Sequence, residues 1–418
     1  MNLALLLLIL LFVASVPVAL ALALAPIPAL IDRGMPLVVV PQTIFEALDS
    51  FALLALPFFI LAGQLMNRGG IADRLIDFAH ALVNWFRGGL GAASVLATMF
   101  FSTVSGSSSA TAAALGSILI PRMERGKYPR PFGSSIIASS AELGVILPPS
   151  VPMIIYGIVT GVSISQLFIA GIIPGLMIGF SLIMTIAILT RIKGYGEAEP
   201  FVTEVWVREV WRTLRRATLS LCMPVIILGG IYLGFFTPTE AAVIAVVFAF
   251  VVGKFIYRTI AWRDVPPILS SAALSSAVIL AIVGFAAVLA YALALFQVPQ
   301  LVAGIMLSIS DNPLVFLLLA NILLLIVGMF METYVAIIIL GPVLAPIAAS
   351  FGIDPVHFGI VMITNLAIGM VTPPVGVNLF ITCSIAGIRI EELVKPLMVF
   401  LVVLLINLAA ITYLPLLI

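Results

Sequence analysis

No charged residue occurs between Glu142 and Arg191, between Asp264 and Asp311, or between Asp354 and Arg389. Stretches of that length cannot face water across a globular surface. In hydrocarbon every backbone N–H and C=O must find its partner inside the protein, and a helix does this within its own segment. The rest of the chain follows the same rule, with 63% hydrophobic and 9% charged residues, against about 25% charged in a soluble domain. The sequence therefore specifies one integral membrane domain, all-α and polytopic. A formal charge of +1 gives no basic field for nucleic acid. Cys222 and Cys383 sit in apolar runs and offer neither a disulfide framework nor metal-ligand spacing.

A span needs about 20 apolar residues. The sequence predicts spans at Leu3 to Ile31, Phe51 to Met66, Pro131 to Gly157, Leu167 to Thr190, Leu219 to Phe235, Ala241 to Ile256, Ile268 to Phe296, Val356 to Gly387 and Leu397 to Leu417. The first run is longer than a leader's apolar core and lacks a basic start, so it is expected to span rather than to be removed. Phe201 to Ser220 mixes Trp206 and Trp211 with four arginines and suits a helix lying in the headgroup layer.

Gly88 to Pro121 and Pro313 to Ala349 are too long for one crossing, yet a polar tip divides each into arms too short to cross alone. Both are expected to be re-entrant hairpins. With a cytoplasmic N-terminus, this topology puts every Lys and Arg except Arg33 on one side, as the positive-inside rule requires, and the C-terminus on the other.

Sliding the sequence over itself by 225 residues superimposes Leu115-Gly116 on Leu340-Gly341, Pro121 on Pro346, Gly144 on Gly369 and Pro148-Pro149 on Pro373-Pro374. Matched Gly and Pro mean matched irregularities of backbone. The charges swap sides, however: Arg122, Arg125, Lys127 and Arg130 precede the first broken helix, whereas Arg389, Glu391, Glu392 and Lys395 follow the second. Such an inverted-topology repeat, about 51–190 and about 268–417 around an arm at about 200–218, is an architecture of secondary transporters.

Each half then contributes a hairpin tip and a broken helix at mid-membrane. Cation ligands are expected among Ser105, Gly106, Ser107, Ser108, Gly144 and Pro148 of the first half. In the second half they are expected among Gly328, Glu332, Thr333, Gly369, Thr372, Pro374 and Gly376. Substrate contacts are expected among Ser109, Thr111, Ser150, Asn365 and Asn378. Unwound carbonyls and hydroxyls suit a hard alkali cation such as Na+, and half-helix N-termini suit an anion. Serines 107–109 could equally be small residues for close helix packing.

Glu142 and Glu332 fall inside the apolar slab, where a charge costs at least about 2.5–3.5 kcal/mol. Glu332 is the better site residue, neutralising a cation or carrying a proton, with a capped or protonated carboxyl as the structural alternative. Glu142 divides evenly between site and packing. Glu240 follows Thr237-Pro238-Thr239 as a helix cap, while His80 and His357 read as helix-end residues. No GxxxxGK[ST] occurs, so ATP is not the expected energy source.

At these residues the chain resembles the large membrane subunit, or DctM-type permease, of the tripartite ATP-independent periplasmic (TRAP) transporters. The likeness rests on Ser105-Gly106-Ser107-Ser108-Ser109-Ala110-Thr111, on Leu143-Gly144-Val145-Ile146-Leu147-Pro148-Pro149-Ser150, and on the run from Gly352 through Gly369 to Gly376. It implies an elevator-type, sodium-driven symporter of a bacterial inner membrane. It also implies two partners, a small membrane subunit of about four helices and a periplasmic binding protein that delivers an organic anion, commonly a carboxylate. No cofactor beyond the coupling ion is implied, nor an enzyme. Glu142 departs from the small polar residue the pattern leads one to expect. A self-sufficient carboxylate symporter of related architecture is the alternative; a passive channel would lack coupling, and an intramembrane enzyme would need a nucleophile–base pair the sequence does not offer.

Overall fold

The computed structural model describes the chain except residues 1–6, 9, 12, 13, 15, 87, 197–201 and 418. The described residues are helical almost throughout, because apolar side chains clothe each segment while its backbone bonds close internally. Before the first repeat come α1 (Val18–Leu24), α2 (Ile27–Asp32) and α3 (Val39–Leu48). The first repeat holds α4 (Ala55–Arg68), α5 (Ile71–Val83), the hairpin α6 (Gly89–Ser105) and α7 (Ser108–Arg125), the broken helix α8 (Arg130–Ala141), α9 (Leu143–Ile146) and α10 (Val151–Thr160), and α11 (Ile164–Lys193). Next follow α12 (Thr203–Tyr232) and α13 (Pro238–Val251). The second repeat holds α14 (Val265–Leu295), α15 (Val298–Ile309), the hairpin α16 (Pro313–Gly328) and α17 (Thr333–Ser350), the broken helix α18 (Pro355–Gly369) and α19 (Val377–Ala386), and α20 (Ile390–Leu417).

Among the described residues seven helices are long and apolar enough to cross a membrane, and eight if Arg130–Ile146 and Val151–Thr160, bent by 41°, count as one broken span. The 225-residue shift carries α5 onto residues 296–308, where α15 lies, and α11 onto the full length of α20. The two repeats are interlocked rather than side by side. Half-helix α10 packs on hairpin arm α17 of the other repeat, and α19 packs on hairpin arm α7. Likewise α20 packs on α8, and α11 on α18. A second group surrounds α14, which packs against α1, α3 and α4, while α13 packs on α4 and α12 on α5.

Three expectations change. The run predicted as one span from Leu3 to Ile31 begins outside the described residues, and its described part is interrupted between α1 and α2. Pro26 and Pro28 lack the N–H groups a continuous helix would use there. The predicted headgroup-layer helix Phe201 to Ser220 and the span Leu219 to Phe235 form one uninterrupted helix, α12. Its composition changes from basic to apolar midway, but no residue between Thr203 and Pro224 removes a backbone donor, so the helix runs on. Finally, α3 and α15 fall where no element was expected.

Elsewhere the punctuation is local. Gly106 ends α6 with φ of 61°, a left-handed geometry cheap only for glycine, and Ser107 then caps α7 by accepting from the Ala110 N–H at 3.4 Å. Thr237 and Glu240 make the reciprocal capping box that starts α13. Both Pro–Pro bonds, 148–149 and 373–374, are cis.

Candidate functional site: a cavity between two hairpin tips

The tip of each hairpin is fastened to the broken helix of its own repeat by the same backbone device. Val151 N–H, two residues after Pro149, donates to Gly106 O at 3.2 Å. Gly376 N–H, two residues after Pro374, donates to Met329 O at 2.9 Å. Glycine lets the paired elements touch. A Cβ on Gly144 would sit 2.7 Å from Ser107 O and 2.8 Å from Thr111 Oγ1. On Gly369 it would sit 2.6 Å from Gly328 Cα, and on Gly328 it would sit 2.7 Å from Leu366 O.

The two tips also meet each other. Ser108 Oγ and Thr333 Oγ1, equivalent under the 225-residue shift, both donate to the sulfur of Met370, at 3.5 Å and 3.1 Å. Ser109 Oγ lies 3.2 Å from Ser107 Oγ, and Ser109 and Glu332 line the same cavity from opposite tips. Between the tips lies a cavity of about 440 Å³. Its rim includes Ser105, Gly106, Ser107 and Ser109 of one tip and Glu332 and Thr333 of the other. Its far wall comes from α4 and α14, through Gln64, Asn67 and Ser275. Among the described lining residues Glu332 is the one carboxylate, and no Lys or Arg is present. Helices α7, α10 and α17 all begin at this cavity, so the positive ends of three peptide dipoles face it.

The remaining expected residues lie behind this rim. Thr111 donates to Ser107 O at 2.7 Å and so braces the first tip. Ser150, fully buried, donates to Val145 O at 2.6 Å across the first break. Thr372 donates to Ile368 O at 2.7 Å. Pro148 and Pro374 belong to the two cis pairs. Asn365 is turned to the hairpin arm α16, where its Nδ2 donates to Asn321 Oδ1 at 2.7 Å, and it does not line the cavity. Asn378 donates from Nδ2 to Glu142 Oε1 at 2.7 Å. That bond crosses between repeats, and Glu142 is wholly buried.

Sequence reasoning passed over Gln64, Asn67, Ser275, Tyr334 and Met370. Gln64 and Asn67 carried a signal, two polar residues three apart in the last turns of a helix that is apolar up to Gly63. Met370 carried none, because its role depends on which oxygens the other repeat brings near. Removing the Glu142 acceptor should show how much the bond between repeats contributes. Glu142→Ala is expected to strand the Asn378 amide and lower stability by about 1–3 kcal/mol. Glu142→Gln keeps an accepting oxygen and is expected to cost less. Thermal unfolding of both variants in detergent measures the difference, and equal midpoints would deny the bond a structural role.

Two inverted, interlocked repeats whose broken elements surround a mid-chain cavity define a polytopic membrane transporter fold. Solved structures share it. The YdaH transporter of Alcanivorax borkumensis superposes with a TM-score of 0.61 at 16% identity, over 89% of this chain and 86% of that one. MtrF of Neisseria gonorrhoeae superposes with a TM-score of 0.62 at 12% identity, over 91% and 85%. Residues 5–417 match the profile of the tripartite ATP-independent periplasmic transporter, DctM component, and the chain belongs to that family. It is 43% identical over 372 residues to the C4-dicarboxylate TRAP transporter large permease protein DctM of Pseudomonas aeruginosa, covering 89% of this chain and 86% of the relative. It is 40% identical over 374 residues to the sialic acid TRAP transporter large permease protein SiaM of Vibrio cholerae, covering 90% and 87%. It is also 39% identical over 382 residues to the isethionate TRAP transporter permease protein DctMQ of Oleidesulfovibrio alaskensis, covering 91% of this chain and 60% of that longer protein.

Proposed function

We propose that this chain is the transport subunit of a TRAP complex that takes up an organic anion, a C4-dicarboxylate or related acid, coupled to sodium. The observation that carries the reading is the cavity itself, which brings both hairpin tips together with hydroxyls and, among its described lining residues, one carboxylate and no cationic side chain. A dicarboxylate entering it would meet the negative Glu332 with only helix N-termini to attract it. Bound alkali cations would supply the missing positive charge, so anion and cation binding reinforce one another. Unwound carbonyls at the two glycine-lined breaks are natural ligands for such cations.

The cavity wall is divided between two bodies, α4 and α14 on one side and the hairpins with the broken helices on the other. Movement of the second body against the first would carry the cavity across the bilayer, an elevator motion. The proposed orientation has the N-terminus and nearly all Lys and Arg in the cytoplasm of a bacterium, with the C-terminus outside. A small membrane subunit and a periplasmic binding protein complete the complex. Reconstitution of all three proteins into liposomes, with uptake of C4-dicarboxylates and sialic acid measured with and without a sodium gradient, tests this. Uptake is expected only with the gradient and the binding protein. Equal uptake without sodium, or by this chain alone, would overturn the reading.

A further inference from the structure

Five arginines gather away from the cavity between the hairpin tips. A separate basin of about 470 Å³ opens between α5, α7 and α12, lined by Arg74, Arg122, Arg125, Arg212 and Arg216. Two carboxylates, Asp77 and Glu209, also line it. Arg122 pairs with Asp77 at 3.2 Å, and Arg212 pairs with Glu209. Arg74 donates to Gly70 O at 2.6 Å and lies 3.6 Å over the Tyr257 ring, while Arg125 donates to Pro121 O at 3.2 Å. Neither of those contacts neutralises a guanidinium, so the basin keeps an excess of positive charge. Its floor is apolar, made by Ile76, Leu90 and Leu119. A neighbouring hollow shares Arg74, Asp77 and Arg216, adds Asp73, and extends along α12 to Arg215 and Leu219.

Exposed tryptophans lie on or beside the helices that line this basin. Trp211 on α12 is 55% exposed and Trp85 in the turn after α5 is 45% exposed. Tryptophans that face outward from a membrane protein collect at headgroup level. Guanidinium groups recognise phosphate oxygens in pairs, and basic pockets between helices on the cytoplasmic side suit anionic lipid headgroups.

We infer that the arginine basin binds the headgroup of an anionic glycerophospholipid of the inner leaflet, its phosphate held by Arg125, Arg212 and Arg216 and its chains lying along the apolar stretch of α12 that begins near Leu219. This rests on the orientation proposed above, but its readout does not need transport. The lipid touches α5, α12 and the hairpin arm α7 at once, so it would tie the first hairpin to α12 on the cytoplasmic side.

The test is native mass spectrometry of the delipidated full chain with added phosphatidylglycerol or phosphatidylcholine, beside thermal unfolding in nanodiscs of each lipid. Phosphatidylglycerol is expected to bind at least about tenfold more tightly and to raise the unfolding temperature. Arg212→Gln with Arg216→Gln should abolish about tenfold of that preference, whereas Arg191→Gln with Lys193→Gln, basic residues outside the basin, should leave it intact. Should the first pair fail to fold, Arg125→Gln alone is expected to weaken phosphatidylglycerol binding several-fold. Equal binding of the two lipids, or a preference unchanged in the basin variants, would overturn the assignment. Stabilisation by inorganic phosphate equal to that by phosphatidylglycerol would also overturn it, in favour of a soluble anion site. Sodium-dependent uptake by the wild-type complex is scored separately, so loss of the transport reading and loss of the lipid site are distinguishable.

Discussion

Glu332→Gln is expected to lower sodium-driven uptake by tenfold or more while leaving the amount of folded protein in the membrane unchanged. The substitution keeps the size of the side chain and an accepting oxygen, and it removes the charge. Glu332 is the one carboxylate among the described residues lining the cavity, and no Lys or Arg lies there to replace its electrostatic role. A charge-assisted contact to a bound cation is worth about 1.5–3 kcal/mol, which corresponds to roughly ten- to a hundredfold in affinity. The loss should appear chiefly as a higher sodium concentration for half-maximal uptake. Ser107→Ala and Thr333→Ala remove neutral oxygens from the two tips, so several-fold losses are expected from each. Liposome uptake across a sodium titration, normalised to protein incorporated, measures all three, and wild-type sodium dependence in every variant would discard the tips as the cation site.

Gly369→Ala is expected to abolish transport and to lower the unfolding temperature markedly. The added methyl would lie 2.6 Å from both Cα and C of Gly328. The obstruction is backbone, with no flexible side chain to swing aside, so the second tip and its broken helix must separate. Overpacking in a well-filled interior costs about 1–3 kcal/mol when side chains can adjust, and here the adjustment falls on the hairpin itself. Gly229→Ala on α12 is the matched control, since nothing lies within 4 Å of its would-be Cβ and alanine favours a helix. Size-exclusion chromatography and thermal unfolding of the two variants should diverge sharply. Native-like behaviour of Gly369→Ala would show the backbone contact to be dispensable.

Much of the fold was legible because glycine and proline punctuate runs that contain no charge. Those interruptions located both hairpin tips and both broken helices, and their common offset related the two halves. The offset also relates α15 to α5, but neither is an apolar run long enough to span, so apolar length alone marks neither of them. The split of α12 was misplaced for a different reason: a change of composition was read as a change of element, although the backbone had no cause to stop.

In the site, Ser105 to Ser109 and Glu332 to Thr333 could be placed because polar residues inside an apolar slab need partners. Ser150 and Asn365 obey the same rule but satisfy it locally, through Val145 O and Asn321. Gln64 and Asn67 reach the cavity through the packing of α4, which nothing in their own neighbourhood specifies.

The crossed packing of α10 on α17 and of α19 on α7 has a consequence for how the chain is made. When the ribosome has delivered residues up to α11, the surfaces of α7 and α10 that face the second repeat are still bare, and they stay so until α17 and α19 emerge. Biogenesis therefore passes through a nascent stage in which the faces of α7 and α10 that meet the second repeat have no protein against them. A gene cut between the repeats should yield two fragments that survive only when produced together.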